Sequence, residues 1–327
     1  MFNRTLLKCT LSLIAACALL LQAYQACAAD AWPSRPIRLV VPFAPGGSGD
    51  VIARPVADHL GRVLGRQFIV DNRTGAGGTI GINIVATAAP DGYTLLLSSN
   101  SLATGAAVQK TPYDPVKDFD AIGRVAFAPL AIVMRANFPA RNLQEFVAYA
   151  KNNPGKVNFG TAGIGSSQHL VTELFALTVG GVKMEGIHYK GTAPSLIDLI
   201  GGRIDLVITT MASIRGTGGA ERLPRLAYAA EQRVATDPDV PTMREAGFDL
   251  VAGVWWGMFG PHGLPESIRS RLNAEINKAV RDPAFTKFLD AIAAAPLPST
   301  PSELQQLLAN DVKRWTATAA RAGVRMQ

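Results

Sequence analysis

Two glycine-rich segments of the sequence have the residue types and spacing of anion-binding loops. "VVPFAPGGSGD" at 40–50 runs from apolar residues through prolines and glycines to an acid, which predicts a strand, a sharp turn and a helix. "FGTAGIGSSQH" at 159–169 has the same order, with Ser166 or Ser167 as the expected helix cap. Glycines let backbone N–H groups approach a guest closely, and a helix N-terminus carries a positive partial charge. Each segment therefore predicts a site for a small anion.

Further polar residues and glycines follow predicted strands on the same side as these loops. Asn72 and the loop 74–78 come after one strand, and Ser98 and Asn100 come after the next. In open parallel sheets, ligands bind beyond the carboxyl ends of the strands. The predicted ligand-binding residues are Gly46, Gly47, Ser48, Asn72, Gly75, Ser98, Asn100, Thr161, Gly163, Gly165, Ser166, Ser167 and Tyr189.

Structural interpretations of the same positions stay open. Gly46 and Gly47 are also typical of a tight strand-to-helix turn that binds nothing. Asp50 would repel an anion, so we expect it to pair with Arg54 four residues later on the helix. Lys190 is equally suited to attracting a carboxylate and to forming a structural ion pair.

Enzymatic interpretations find little support in the residues. "GGSGD" departs from the nucleophile-elbow pattern because Asp50 stands where the second glycine belongs. The histidines lack the spacing of a helical metal pair, and "GAGGTIG" lacks the dinucleotide fingerprint. We expect no catalytic residue, no metal and no cofactor, and a secreted hydrolase is the weaker alternative.

The first 28 residues have the composition of a secretory signal peptide. Two basic residues precede the apolar run at 11–21, and "ACA" at 26–28 offers small residues for cleavage. Spanning a bilayer takes roughly 20 apolar residues, so a retained membrane helix is the weaker alternative. "IAAC" at 14–17 also resembles a lipoprotein box with Cys17 as the lipidated residue. We expect cleavage after Ala28 and a protein located in the periplasm.

Cleavage there leaves a chain without cysteine and with a mild positive charge. All three cysteines lie in the first 28 residues. Removing the two basic residues of the signal from 32 basic and 25 acidic residues leaves a net charge of +5. The basic residues are scattered and no aromatic-rich basic stripe accompanies them, so the sequence does not predict nucleic-acid binding.

Short apolar strands alternate with amphipathic helices in two series. The first series has strands near 37–43, 67–71 and 93–99 and helices near 49–65 and 78–88. The second has strands near 130–135, 157–160, 186–189, 204–209 and 224–230 and helices near 142–152, 166–179 and 193–200. Because parallel neighbours need crossover helices, the alternation predicts parallel sheets in an α/β fold.

The remainder of the sequence predicts a return to the first unit. Residues 251–327 open with "VAGVWWGMFGP" and then become helical, and we expect Trp255 and Trp256 to pack in the core or hinge. The predicted lobes are 29–130 plus 251–327 and 131–250. A chain that crosses between lobes more than once bends as a hinge over a cleft.

Five segments together resemble the Bug family, the periplasmic solute-binding proteins of tripartite tricarboxylate transporters. They are "WPSRPIRLVVPFAPGGSGDVIARPVADHL", "VDNRTGAGGTIGINIVATAAPDGYTLLL", "GTAGIGSSQHLVTELF", "HYKGTAPSLIDLIGGRIDLVI" and "VPTMREAGF". The resemblance covers essentially the whole mature chain in the right order. It implies a two-lobed periplasmic binding protein, or Venus flytrap, in which backbone amides and waters of both lobes hold a carboxylate.

The resemblance also implies the partners. These are a small organic acid, often a di- or tricarboxylate or an amino or aromatic acid, and the membrane subunits of a tripartite tricarboxylate transporter. We expect a monomer, and a membrane sensor kinase is the alternative client. "IGSS" at 164–167 and "TTMAS" at 209–213 depart from the usual family pattern, so the ligand is not assigned.

Overall fold

The computed structural model describes residues 32–324 and shows two mixed β-sheets, each flanked by helices. The predicted signal peptide and its cleavage site lie outside the described residues. None of the helices within 32–324 is long and apolar enough to cross a membrane.

The first sheet is built by the N-terminal part of the chain. Its elements, in order, are β1 (Ile37–Val41), α1 (Ser48–Leu64), β2 (Phe68–Asn72), a 3₁₀ turn (Ala76–Gly78), α2 (Thr79–Ala86), β3 (Thr94–Ser99), α3 (Ser101–Val108) and β4 (Phe119–Pro129). The glycine loop of 40–50 therefore connects β1 to α1, as its sequence predicts. The sequence analysis missed α3 and β4.

The second sheet follows directly after β4. Its elements are β5 (Ala131–Met134), α4 (Leu143–Asn152), β6 (Asn158–Thr161), α5 (Ser167–Thr178), β7 (Glu185–His188), α6 (Thr192–Ile200), β8 (Leu206–Thr209), α7 (Met211–Gly216), a 3₁₀ turn (Ala220–Arg222) and β9 (Arg225–Tyr228). The second glycine loop connects β6 to α5.

The chain then returns to the first sheet. The returning elements are β10 (Gly253–Pro261), α8 (Glu266–Ala279), α9 (Pro283–Ala291), β11 (Ala295–Pro296) and α10 (Pro301–Ala322). β10 pairs with β3 and β4, which places it in the middle of the first sheet. Its tryptophans are buried, as predicted: Trp255 is 4% exposed and donates from its indole Nε1 to Asp311, and Trp256 is 1% exposed.

Local sequence explains why the helices next to the cleft begin and end where they do. α1 buries an apolar face that includes Ile52, Val56 and Leu60, and it ends at Gly65 in the left-handed conformation that glycine favours. α10 begins at a capping box in which Thr300 and Glu303 satisfy each other's backbone amides. The left-handed glycine that ends α1 and the capping box that begins α10 are signals local to each helix.

The strand order corrects the expectation of purely parallel sheets. The first sheet runs β11-β4-β10-β3-β1-β2 and the second β7-β6-β8-β5-β9. β1, β2 and β3 are parallel, as are β6, β7 and β8, but β10 and β5 run antiparallel to their neighbours. β5 and β10 directly follow the crossings between the sheets, and the short β11 is also antiparallel to its neighbour β4.

Both crossings lie side by side, near one edge of each sheet. β4 passes into β5 at Leu130, and the return into β10 passes Ala252, whose carbonyl accepts from the Leu130 amide at 3.3 Å. β2 and β7 form the opposite edges of their sheets. Two α/β lobes joined along one side therefore face each other across a cleft, which is the two-lobed fold that the sequence predicts.

Candidate ligand-binding site between the lobes

A small enclosed cavity of about 20 Å³ lies between the lobes. Its walls come from both: the lining residues are Pro42, Phe43, Gly47, Ser48, Gly49, Leu97, Ser98, Ser99, Ala162, Gln168, Thr192, Val254 and Trp256. None of these lining residues carries a charged side chain. Phe43, Leu97, Val254 and Trp256 make part of the wall apolar and aromatic.

Three helices begin at this cavity. α1 contributes Gly49, α5 contributes Gln168 and α6 contributes Thr192, each from its first turn. The backbone amides of these three residues have no hydrogen-bond acceptor within the described chain. Because a helix N-terminus carries about half a positive charge on its free amides, the cavity is positive without a cationic side chain. Such a site is suited to a carboxylate.

Ser98 adds a hydroxyl to the same cavity. It is the fifth residue of β3 and is 2% exposed, and its Oγ has no hydrogen-bond partner in residues 32–324. A buried hydroxyl without a partner destabilises the fold by about 1–3 kcal/mol. The Ser98 hydroxyl is therefore free to bond to a ligand in this cavity.

Protein acceptors already engage the amides that the sequence analysis proposed for the anion. These are the amides of Gly46, Gly47, Ser48, Gly165 and Ser166. On the α1 side, Gly46 N–H donates to the Asp50 carboxylate at 3.1 Å, and Ser48 N–H donates across the cleft to Ser213 Oγ at 3.0 Å. Asp50 is also paired with Arg54 at 2.8 Å, which confirms the predicted structural role of this acid.

On the α5 side, a histidine holds the second loop. Gly165 N–H donates to His169 Nδ1 at 3.3 Å, and Ser166 N–H donates to the Gly163 carbonyl at 3.1 Å. The Ser166 hydroxyl accepts from His169 N–H and caps α5, so the structure assigns the cap to Ser166 rather than Ser167. The free amides that line the small cavity in these two loops, those of Gly49 and Gln168, therefore lie one or two residues further into the helices than the amides of Ser48 and Ser166.

A second, larger cavity opens along the side of the cleft that is opposite the crossings. This groove has a volume of about 760 Å³, and its walls are Gly75, Ala76, Gly77, Val108, Gln109, Gly163, Ile164, His169, His188, Tyr189, Lys190, Gly323 and Val324. Both lobes contribute, and the residues that follow β2 and β7 line it. The groove and the small cavity are adjacent, because Gly163 lines the groove and its sequence neighbour Ala162 lines the small cavity.

The groove contains a pair of histidines that the sequence shows as scattered. The His169 and His188 rings meet edge to face with centroids 4.9 Å apart, and His188 Nδ1 lies 2.9 Å from Thr161 Oγ1. Burial, and then the neighbouring His188, lowers the pKa of His169 to about 4. Because Nδ1 accepts the Gly165 amide, the neutral ring carries its hydrogen on Nε2, which lies 3.9 Å from Glu173.

The predicted ligand residues divide into three groups. Gly47, Ser48 and Ser98 line the small cavity. Gly75, Gly163 and Tyr189 line the groove. The other seven line neither cavity: Gly46, Asn72, Asn100, Thr161, Gly165, Ser166 and Ser167.

Sequence reasoning missed several residues of the small cavity. Gln168 and Thr192 stand in the first turns of helices that follow a strand and a glycine, in "GSSQ" and "KGT", so the rule that predicted Ser48 would have found both. Gly49 follows by the same rule. Trp256, which the sequence predicts to pack in the core or hinge, is both buried core and cavity wall.

Two α/β lobes that are joined on one side and direct helix N-termini from both into one enclosed cavity define a two-lobed solute-binding protein. Residues 52–324 match the model of the tripartite tricarboxylate transporter family receptor. The chain belongs to this family, whose members are periplasmic solute-binding receptors.

Curated relatives and solved structures agree with this assignment. The protein BugT of Bordetella pertussis is 37% identical over 303 residues, covering 91% of this chain and 93% of BugT. The structure of the periplasmic binding protein BugD is 36% identical with a TM-score of 0.86, covering 90% of this chain and 100% of BugD. MatC from Rhodopseudomonas palustris, solved with bound malate, is 31% identical with a TM-score of 0.83, covering 88% and 99%. The R. palustris protein Rpa4515, solved with adipate, is 32% identical with a TM-score of 0.87, covering 91% and 100%.

Proposed function

We propose that this protein captures a small organic acid between its lobes in the periplasm and delivers it to the membrane subunits of a tripartite tricarboxylate transporter. The observation that carries the proposal is the convergence of three helix N-termini on one cavity without a charged lining residue. Those N-termini attract negative charge, and burial makes the attraction stronger than it would be in water.

Named residues take separate roles in this proposal. The free amides of Gly49, Gln168 and Thr192 and the hydroxyl of Ser98 donate to the carboxylate. The aromatic wall packs on the rest of the ligand. Hydrogen bonds to an ionised group are worth about 1.5–3 kcal/mol each, so two or three of them account for the affinity of a small ligand.

The ligands named with two relatives support a carboxylate. MatC was solved with malate and Rpa4515 with adipate, and both structures match this fold over most of their length. Malate and adipate differ in length and share the carboxylate. A site that holds the carboxylate by backbone amides suits both, because the amides make no demand on the rest of the molecule.

Ligand entry requires the lobes to move apart. A cavity of about 20 Å³ holds about one water molecule, which is less than the volume of any organic acid. We propose that 29–130 with 251–327 forms one moving unit and 131–250 the other, with the hinge at the two crossings. The predicted cleavage after Ala28 would release this two-lobed chain as a periplasmic monomer.

The test compares free acids with their methyl esters. Adipate, malate, succinate and benzoate, each with its methyl ester, are screened by thermal shift, and the best acid is measured by calorimetry. We expect at least one acid to raise Tm and its ester to bind at least tenfold more weakly, because the amides donate to an anion. An ester that binds as tightly as its acid would contradict the proposed site.

A further inference from the structure

The helix α3, which sequence analysis missed, contacts the opposite lobe along one face. Asn100 precedes the helix, Ser101 and Thr104 lie on it and Gln109 follows it. All four side chains contact residues 164–167, the segment that leads into α5. We call these four side chains, with the atoms they contact in 164–167, the α3 clasp.

One half of the α3 clasp is a chain of hydroxyls. Ser167 Oγ donates to Asn100 Oδ1 at 2.7 Å, so its single hydrogen is used there. The contact of 3.0 Å between Ser101 Oγ and Ser167 Oγ must then take its hydrogen from Ser101. Ser99 Oγ in turn donates to Ser101 at 2.9 Å. Each hydroxyl gives one hydrogen and accepts one, and the chain crosses from one lobe to the other.

The other half holds two consecutive carbonyls of the opposite lobe. Thr104 Oγ1 donates to the Gly165 carbonyl at 2.8 Å and Gln109 Nε2 donates to the Ile164 carbonyl at 2.8 Å. Gln109 Nε2 also lies 3.3 Å from the Ala76 carbonyl on its own side of the cleft. The side-chain amide of Gln109 thereby bonds to the loops on both sides of the groove.

Glycine makes this approach close enough for hydrogen bonds. Gly165 has a φ of +78°, and a Cβ placed there would lie 2.4 Å from Gln109 Nε2 and 3.2 Å from the Cα of Gly105. Asn100 connects the α3 clasp to the crossing as well, because its Nδ2 lies 3.3 Å from the Gly253 carbonyl. None of the four side chains lines the small cavity.

We infer that the α3 clasp holds the lobes closed without touching the ligand, so that Asn100, Ser101, Thr104 and Gln109 are positioning residues that set how long a ligand is retained. The inference rests on the proposed function, in which the lobes must separate to admit the ligand. Opening the cleft breaks all four side-chain contacts, and water replaces them at the carbonyls. Because residues 164–167 carry the N-terminus of α5, the α3 clasp also places the Gln168 amide at the cavity.

The experiment measures lobe separation directly, with no ligand added. Spin labels are attached to cysteines at Ile69 on β2 and Ile187 on β7, which are 47% and 40% exposed and lie at the edges away from the crossings. The labelled protein is the mature one, because the native cysteines all lie at 9, 17 and 27. The distance distribution is recorded for the parent and for the double variant Thr104→Val, Gln109→Ala.

Loss of two hydrogen bonds should shift the ratio of closed to open protein toward open by about fivefold to a hundredfold. Thr178→Val is the matched control, because the Thr178 hydroxyl donates to the Leu174 carbonyl at 2.9 Å within one lobe. It should leave the distances unchanged. Gln109→Ala alone, at a half-buried position, gives a folded variant that should show part of the shift even if Thr104→Val perturbs folding.

Identical distributions in the parent and the clasp variants would overturn the inference, and so would an equal shift in the Thr178 control. Either result would leave the carboxylate site intact, because the comparison of acids with esters tests that site separately. Conversely, a shift in lobe separation with no acid bound in the screen would support the α3 clasp and reject the proposed ligand class.

Discussion

The two glycine loops at the cleft have similar sequences and are held in place by different means. Within its own lobe, the loop between β1 and α1 is stabilised by an ion pair and by side-chain hydrogen bonds. Asp50 accepts from Gly46 and pairs with Arg54, and Asn72 Nδ2 donates to the Phe43 carbonyl at 2.9 Å. Two amides at this loop also donate to the opposite lobe, Ala44 N–H to the Lys190 carbonyl at 3.3 Å and Ser48 N–H to Ser213 Oγ at 3.0 Å. The contacts within its own lobe remain when the lobes part.

The loop between β6 and α5 depends on a titratable side chain and on the opposite lobe. His169 accepts the Gly165 amide, while Thr104 and Gln109 donate to carbonyls of the loop from across the cleft. Opening the lobes removes the contacts with Thr104 and Gln109. Protonation of His169 in acid removes its hydrogen bond with the Gly165 amide. The first loop thus keeps an internal ion pair when the lobes part, whereas the second relies on His169 and on side chains of the opposite lobe. We call them the rigid loop and the adjustable loop.

Among the predicted variants, Gly77→Ala should have the largest effect, because it should separate the second loop from the first lobe. A Cβ at Gly77 would lie 1.9 Å from the Ile164 carbonyl oxygen, so the adjustable loop could not meet the first lobe. We expect the closed distance between labels at Ile69 and Ile187 to disappear. Gly65→Ala is the matched control, because Gly65 has a similar φ of +70° with no atom within 4 Å of its Cβ. Both variants bear the strain of about 1 kcal/mol, and only Gly77→Ala should open the cleft.

Acid should weaken the adjustable loop through His169. Its pKa is lowered from 6.5 to about 4 by burial and by His188, so between these values the unfolded chain binds a proton that the folded chain does not. The contribution of neutral His169 to the free energy of unfolding is therefore fully present above pH 6.5 and is lost as the pH falls toward 4. One pKa unit corresponds to about 1.4 kcal/mol, so the loss approaches about 3 kcal/mol.

Urea unfolding of the parent and of His169→Gln between pH 7.5 and pH 4 measures this loss. Glutamine keeps an acceptor for Gly165 and does not titrate, so the variant should lose less stability in acid. Burial raises the pKa of Glu173, which acts in the opposite direction and is present in both proteins. Parallel pH profiles for the two proteins would show that His169 does not titrate in this window.

A smaller effect is expected for the rigid loop from Asp50→Ala. The change leaves the Gly46 amide and the Arg54 guanidinium without this acceptor, at a cost of about 2 kcal/mol in the free energy of unfolding. Asp50→Asn keeps a neutral acceptor for Gly46 and should lose about half as much. Urea unfolding measures both variants. An unchanged stability in Asp50→Ala would mean that the rigid loop is held by other contacts.

The smallest change in stability should come from Ser98→Ala, on β3, because Ser98 belongs to neither loop. Its hydroxyl has no partner among the described residues, so its removal should leave the free energy of unfolding within about 0.5 kcal/mol or raise it. Affinity for the best acid in the screen should fall about tenfold, since one donor to the carboxylate is lost. Calorimetry that shows equal affinity would remove Ser98 from the site.

Local signals were enough to predict the two glycine loops and the helices that follow them. A strand, glycines and a capping serine identify the β6–α5 loop from eleven letters of sequence, and the Asp50–Arg54 pair follows from helical spacing alone. Apolar alternation gave most strands of both sheets to within one or two residues.

Contacts between distant segments could not be predicted in this way. The sequence analysis missed β4 because Asp120 and Arg124 interrupt its apolar pattern and several of its other residues are alanines. Most of the strand is nevertheless buried. Tertiary packing supplies Ser213 as the acceptor of the Ser48 amide, 165 residues away in sequence. His169, the acceptor of the Gly165 amide, is only four residues away, but its rotamer is set by the fold around it. Which amides remain free for a ligand is therefore a property of the closed fold.

The placement of both crossings at one edge of the sheets has a mechanical consequence. Residues 129–131 and 251–253 lie side by side, so the proposed opening of the lobes would have a single axis of rotation near that edge. In a rotation, displacement grows in proportion to distance from the axis. A few degrees of twist in the hinge backbone are thus amplified at β2 and β7, the far edges, while the residues next to the hinge barely shift. Under the proposed function, we expect solute exchange on the far side, with the core around β10 packed in both the open and the closed protein.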